Sequence, residues 1–183
     1  MTKYEIRKEI LSKRKLLTYD FVSINSKLVC DKFIENYPDK NIIVFAYFGV
    51  KNEVETTRML EYYENVYLPK TVGDNLEFYK YDGNLYLGKF NIPEPCGAKA
   101  DTSIIPDVIV VPGVGFDLNK NRTGYGKGFY DRFLVHYKNV KKIAFAFSFQ
   151  IYDEISDASL FDIKVDEIIT EKNVLWKRRL KIT

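Results

Sequence analysis

The stretch Pro112–Leu134, PGVGFDLNKNRTGYGKGFYDRFL, decides the reading of this chain. It follows Asp107–Val111 (DVIVV), an apolar run with the pattern of a buried strand. It carries glycines at alternate positions, Gly124, Gly126 and Gly128, and closes on Phe129–Leu134, which can begin a helix. A strand, a glycine-rich turn and a helix in that order commonly cradle phosphate. Backbone N–H groups at the helix start are unpaired, and the helix dipole favours an anion there. Glycine tolerates positive φ and lets a ligand approach the backbone, whereas a side chain at Gly126 or Gly128 would stand between the N–H groups and an anion. Arg122 and Lys127 add cationic donors on either side. Asp131 falls in the first turn of the helix, where a carboxylate repels phosphate unless a cation lies between them. It therefore reads as a Mg²⁺ ligand, since Mg²⁺ bridges carboxylates and phosphate oxygens.

The loop is neither a Walker loop nor a GxGxxG turn. Three alternate glycines alone suit a structural turn as well as a ligand loop; the flanking Arg122, Lys127 and Asp131 favour the ligand loop.

Working outward, the 183 residues suffice for one domain with a real core, and 46% hydrophobic with 29% charged residues is an ordinary globular composition. The net charge of +3 is too small to argue for nucleic acid. The 14 Tyr and 13 Phe suit a core and also a flat heteroaromatic ligand. Cys30 and Cys96 have no metal or redox spacing and read as reduced thiols of a cytosolic protein. No signal peptide or membrane-spanning run is evident, and the basic stretch Lys177–Lys181 reads as a solvated tail. The sole histidine, His136, is expected on the surface. Nothing offers a Ser/His/Asp or Cys/His constellation, so hydrolysis through a covalent enzyme intermediate is not expected.

Thr2 and Glu5 form a capping-box pattern opening a helix with an apolar seam of Ile6, Ile10, Leu11 and Leu17. Lys3, Arg7 and Arg14 lie on one stripe beside that seam, which spacing alone reads as a solvated basic edge. Thr18 caps a second helix, roughly Tyr19–Asn36, with Phe21, Ile24, Leu28 and Phe33 expected inward. Ile42–Phe48 reads as a buried strand, and Glu53-Val54-Glu55-Thr56 as the opening of a helix to about Tyr63. Glu53 would stand at the carboxyl end of that strand, where open α/β sheets bind ligands. Asn65–Leu68 reads as a strand ended by Pro69. Leu76–Tyr81, the Asp82-Gly83 turn and Leu85–Leu87 suggest a hairpin or an irregular excursion. Asn91–Pro95 is a rigid extended segment. Helix is expected over Gly128–His136, strand over Lys142–Ser148, a mixed stretch over Phe149–Leu160, and a final strand in the last part of Phe161–Thr170. Strands alternating with helices predict an α/β protein with a mostly parallel sheet and helices on both faces.

Pro112–Leu134 resembles the signature of the 5-formyltetrahydrofolate cyclo-ligase family, in which Pro-Gly-x-x-Phe-Asp leads into Arg-Leu-Gly-x-Gly-x-Gly-Tyr/Phe-Tyr-Asp. Thr123 stands where Leu is usual. The basic first helix, the Glu-x-x-Thr segment at Glu53, the Ile-Pro-Glu-Pro run at Ile92 and the Asp-x-x-Val-Asp segment at Asp162 resemble further elements of that family. The resemblance implies one Rossmann-like layered domain, and ATP- and Mg²⁺-dependent conversion of 5-formyltetrahydrofolate to 5,10-methenyltetrahydrofolate, with release of ADP and phosphate. By it, Lys3, Arg7, Arg122, Gly124, Gly126, Lys127, Gly128 and Tyr130 meet ATP. Phe48, Glu53, Tyr125, Gly126, Lys127, Gly128 and Phe129 meet the folate, and Arg122, Lys127 and Tyr130 carry the reaction. Asp131 and Asp162 hold Mg²⁺, with Asp166 an alternative to Asp162 that the residues do not rank. The implied protein is a cytoplasmic monomer acting on folate, polyglutamylated or not. The alternatives are a non-catalytic folate store and a paralogue that uses ATP on another substrate.

Overall fold

The computed structural model describes residues 1–88, 91–159 and 162–175; Lys177–Lys181, Leu160 and Phe161 lie outside the described residues. Helix α1 (Lys3–Lys15) starts at Thr2, whose hydroxyl accepts from the Glu5 N–H while the Glu5 carboxylate accepts from the Thr2 N–H. The capping box is thus formed as its spacing predicts. The buried face of α1 is Ile6, Ile10 and Arg14, so Arg14 is no part of a solvated edge. It continues the seam at i+4 spacing, where a charge is tolerated only with a partner.

Helix α2 (Tyr19–Asn36) is capped by Thr18, but its inward face is Val22, Ser26, Val29, Cys30 and Phe33. Ile24 and Leu28, expected inward, are exposed. Two of the true seam positions are small polar or thiol residues, which an apolar count passes over. Ser26 Oγ accepts from the Glu55 N–H at 2.8 Å, and Cys30 Sγ donates to the Glu55 carbonyl at 3.4 Å, tying α2 to the chain below it.

The central sheet is built from β1 (Ile43–Phe45), β2 (Asn65–Val72), β3 (Asn75–Lys80), β6 (Val108–Val111), β9 (Lys141–Phe145), β11 (Glu167–Ile169) and β12 (Val174–Leu175). Its order is β12-β11-β9-β6-β1-β2-β3; the five inner strands run parallel and the two edge strands antiparallel. Side chains alternate between two cores. Val44, Val108, Val110, Ile143, Phe145 and Ile169 face α2 and α3 (Thr57–Tyr62). Phe45, Ile109, Val111, Ala144 and Ile168 face the other side, where Leu134 of α4 (Phe129–Leu134) packs. Helices therefore cover both faces, as parallel strands require.

Several local expectations change. The run Ile42–Phe48 is apolar throughout, but the ladder to β6 stops at Phe45, and the chain then turns away. The helix after it starts at Thr57, not Glu53, so Glu53 and Glu55 belong to a connecting loop. Strand β2 runs through Pro69. The Val66 carbonyl accepts from the Tyr81 N–H just past β3 and the Tyr67 carbonyl from the Ala46 N–H just past β1, so the missing N–H of Pro69 points toward the β1 side, where β1 has already ended. The hairpin is β2 with β3, turning at Gly73, while β4 (Leu85–Leu87) pairs with β5 (Pro93–Pro95). Helix α4 gives way at Val135 to a 3-10 turn that holds the exposed His136. Strand β9 ends at Phe145, and the described residues of the following stretch contribute a 3-10 turn (Ser148–Gln150) and β10 (Ile151–Tyr152).

The strand–turn–helix reading of the central motif also needs correction. A hairpin of β7 (Gly115–Asp117) and β8 (Arg122–Thr123) intervenes between β6 and the glycines. The fully buried Asp117 carboxylate pins it, accepting from the N–H groups of Asn119, Asn121 and Ile155 and from the Asn121 amide at 2.8–2.9 Å. Gly115 lets α1 lie against this hairpin, since a Cβ there would come within 2.4 Å of Ile6 Cγ2.

Candidate active site

From β1 the chain passes to β2 on one side, and later to β6 on the other. The crevice beyond the carboxyl ends of β1 and β6 is thus the switch point of the sheet, where open α/β sheets bind ligands. A cleft of about 440 Å³ opens there. Tyr47, Phe48 and Glu53 enter from the end of β1, Pro112 from the end of β6, and Gly124–Asp131 from the glycine loop and α4. Lys3 and Arg7 reach in from α1, and Asp162 from the loop before β11. Apart from the alternative ligand Asp166, every residue assigned a site role by sequence lines one cleft, although four separate segments supply them: Lys3–Arg7, Phe48–Glu53, Arg122–Asp131 and Asp162. Asp166 does not line it: its carboxylate accepts from the Lys142 N–H at 2.8 Å, fixing β9 to the segment before β11. The hairpin β2–β3 adds Pro69, Thr71 and Leu76, and Ile92, Pro93 and Glu94 close the far wall.

The glycine loop is shaped by backbone geometry. Gly126 (φ +94°) and Gly128 (φ +68°) occupy the left-handed region that side chains disfavour. Arg7 Nε donates to the Gly124 carbonyl at 2.7 Å, so α1 holds the loop. Helix α4 has only six residues, and its macrodipole is correspondingly small. Side-chain cations and loop N–H groups carry the case for an anion instead.

Charges are paired across the cleft. Arg122, buried, donates to Asp131 Oδ1 at 2.8 Å and to the Pro112 carbonyl at 3.3 Å. Lys3 pairs with Asp162, which also accepts from the Ser159 N–H. Burial works against the Asp162 charge, but the Lys3 ammonium and that N–H outweigh it and hold the carboxyl below its ordinary value. Among the described residues, five buried polar atoms have no protein partner, and two of them, Arg122 Nε and the Tyr130 hydroxyl, belong to residues that line the cleft; the others are Arg14 Nε, Thr123 Oγ1 and the Tyr152 hydroxyl. Burial, and then the Glu53 charge, push the Tyr130 phenol up, so it remains a neutral donor.

Glu53 is buried and sits in a network that sequence reasoning missed. Its Oε1 accepts from the Tyr125 hydroxyl at 2.8 Å and lies 3.6 Å from Arg14 Nη1; its Oε2 accepts from the Val50 N–H at 3.1 Å. Arg14 in turn donates to Tyr125 Oη at 3.0 Å and to the Gly113 carbonyl at 2.8 Å. Burial raises the Glu53 carboxyl above its ordinary value, with Arg14, the Val50 N–H and Tyr125 opposing. The available signal was the position of Arg14 on the Ile6–Ile10 seam.

Comparison with known proteins agrees with this architecture. The profile of the 5-formyltetrahydrofolate cyclo-ligase family matches residues 1–171. The 5-formyltetrahydrofolate cyclo-ligase of Mycoplasma pneumoniae is 32% identical over 94% of this chain and 100% of its own. The NMR structure of 5,10-methenyltetrahydrofolate synthetase from Aquifex aeolicus is 36% identical and superposes with a TM-score of 0.80, covering 100% of this chain and 95% of that one. A Mycoplasma pneumoniae 5,10-methenyltetrahydrofolate synthetase structure, 28% identical, reaches 0.74 over 93% of this chain and 99% of its own. Architecture and sequence thus agree, and the chain belongs to the 5-formyltetrahydrofolate cyclo-ligase family.

Proposed function

We propose that this cleft converts 5-formyltetrahydrofolate and ATP to 5,10-methenyltetrahydrofolate, ADP and phosphate. The observation that carries the reading is that two of the buried polar atoms without a protein partner among the described residues, Arg122 Nε and the Tyr130 hydroxyl, belong to residues lining a cation-rich cleft at the sheet's switch point. An orphaned buried donor costs about 1–3 kcal/mol, which a phosphate or formyl oxygen would recover.

Formamide oxygen is a poor leaving group as hydroxide. Transfer of the γ-phosphoryl group to that oxygen, with ADP departing, gives an iminium phosphate. N10 then attacks the formyl carbon and loses its proton, and phosphate leaves with the C–O electron pair. The protein's work is positioning and charge stabilisation. Lys3, Arg7, Arg122 and Lys127, with the N–H groups of Gly124, Gly126 and Gly128, hold the phosphates. Tyr130 donates to the reacting oxygen. Glu53 accepts from the neighbouring N–H groups of the pterin, and Phe48, Tyr125 and Phe129 flank its ring. Asp131 and Asp162 suit Mg²⁺, which needs only one or two carboxylates beside substrate oxygens. Both line the cleft, each beside a cation that phosphate would draw away. When bound, Mg²⁺ supplies neutralisation of phosphate charge.

The test mixes protein, 5-formyltetrahydrofolate and Mg²⁺ with or without ATP, following the absorbance of the conjugated methenyl product. Growth of that band only with ATP, matched by equal ADP, is expected. Folate binding without product would favour a storage protein, and neither binding nor product would favour another substrate.

A further inference from the structure

Tyr125 lies on the glycine loop, yet its hydroxyl ends on a carboxylate from the opposite wall. Its side chain donates to Glu53 Oε1 and accepts from Arg14 Nη1. The direction is fixed, because a guanidinium only donates and a carboxylate only accepts. Arg14 is anchored at the same time to the Gly113 carbonyl. The chain of contacts therefore runs from α1 through the loop to Glu53.

We propose that Tyr125 and Arg14 are positioning residues that couple the two ends of the cleft, so that nucleotide on the glycine loop and folate on Glu53 bind cooperatively. The inference rests on the reading of the loop as nucleotide-binding and Glu53 as folate-binding. Three observations support it. First, Gly124 and Gly126 flank Tyr125, and glycine loses more conformational freedom on ordering than any other residue. Second, Tyr125 is itself 45% exposed, and while Arg7 holds the loop at the Gly124 carbonyl, the Tyr125 hydroxyl is its contact with Glu53. A first ligand that orders the loop spares the second that entropy. Third, docking leaves Glu53 fit to act. Each carboxylate oxygen has one close donor, Tyr125 on Oε1 and Val50 on Oε2, leaving a lone pair on each for two neighbouring pterin N–H groups.

Tyr125→Phe removes the hydroxyl and keeps the ring, and calorimetry tests it. In the wild type, a non-hydrolysable ATP analogue with Mg²⁺ is expected to tighten 5-formyltetrahydrofolate at least about fivefold, with folate tightening the analogue equally. In Tyr125→Phe that factor falls to about one, and folate alone binds about tenfold more weakly, the scale of a lost hydrogen bond to a charged group. A purely structural role would leave the factor unchanged. Tyr125→Phe retaining the wild-type factor, or a wild-type factor of one, overturns the proposal. Glu53→Gln separates it from the reading beneath. Unchanged folate affinity there removes Glu53 from folate binding and the proposal with it; lost affinity, with coupling intact in Tyr125→Phe, overturns the proposal alone.

Discussion

Asp131→Asn lowers turnover by roughly two to three orders of magnitude, the scale of losing one preorganised electrostatic group, while the protein keeps its fold. The Asp131 side chain is 37% exposed at the cleft edge and gives one oxygen to Arg122 at 2.8 Å. An asparagine oxygen still accepts from Arg122, so the structural contact survives as a weaker hydrogen bond. The loss in stability is about 1 kcal/mol, a few degrees in Tm. What asparagine cannot supply is the negative charge that, in the proposed reaction, would hold a divalent cation against phosphate. The half-saturating Mg²⁺ concentration should therefore rise as kcat falls. Steady-state kinetics across a Mg²⁺ series, beside a thermal melt, measure both. Wild-type turnover would remove Asp131 from the mechanism.

Arg14→Met destabilises the protein by about 3–5 kcal/mol near pH 7.5, because it leaves a buried carboxylate without its cation. Methionine keeps most of the apolar volume, so loss of charge dominates. The effect depends on pH in a defined direction. Groups facing Glu53 are Arg14 from α1, Lys51 and the Val50 N–H from the connecting loop, and Tyr125 from the glycine loop; Tyr47 and Tyr130 lie nearby. Their balance leaves the folded carboxyl above its ordinary value of 4.5. The folded protein therefore binds the Glu53 proton more tightly than the unfolded chain does. The associated stability is full below the ordinary value and lost as pH rises through the raised one. Removing Arg14 raises the folded value further and widens that window. Denaturation midpoints at pH 5 and 7.5 should show a smaller gap between variant and wild type at pH 5. Equal gaps would mean that Glu53 is not the group Arg14 serves.

The central strands were legible because buried parallel strands are written as unbroken apolar runs: Val108–Val111 and the cores of Ile42–Phe48 and Lys142–Ser148 all appear in the sheet. Their ends were not, since Ala46 and Tyr47 are as apolar as Phe45 but lie beyond the ladder. The face of α2 was misread because Ser26 and Cys30 occupy seam positions that hydrophobicity alone does not mark. Pro69 was read as a stop, although its nitrogen faces a side where no partner strand continues. The cleft was legible through the central motif and the segments that accompany it, and the fold gathers those segments at one switch point. Arg14 was hidden for a different reason. Spacing placed it both beside Lys3 and Arg7 and in line with Ile6 and Ile10, and tertiary contact decides between the two: Arg14 is buried and paired with Glu53.

The claim that phosphate is transferred to the formyl oxygen is tested most directly by isotope. 5-Formyltetrahydrofolate carrying ¹⁸O in the formyl group is turned over with unlabelled ATP in unlabelled water, and the released phosphate is analysed by mass. The account predicts one ¹⁸O atom in each phosphate, because the formyl oxygen leaves bonded to phosphorus. Phosphate without label, with ¹⁸O appearing in water, would mean that ATP is hydrolysed beside the folate rather than used to activate it.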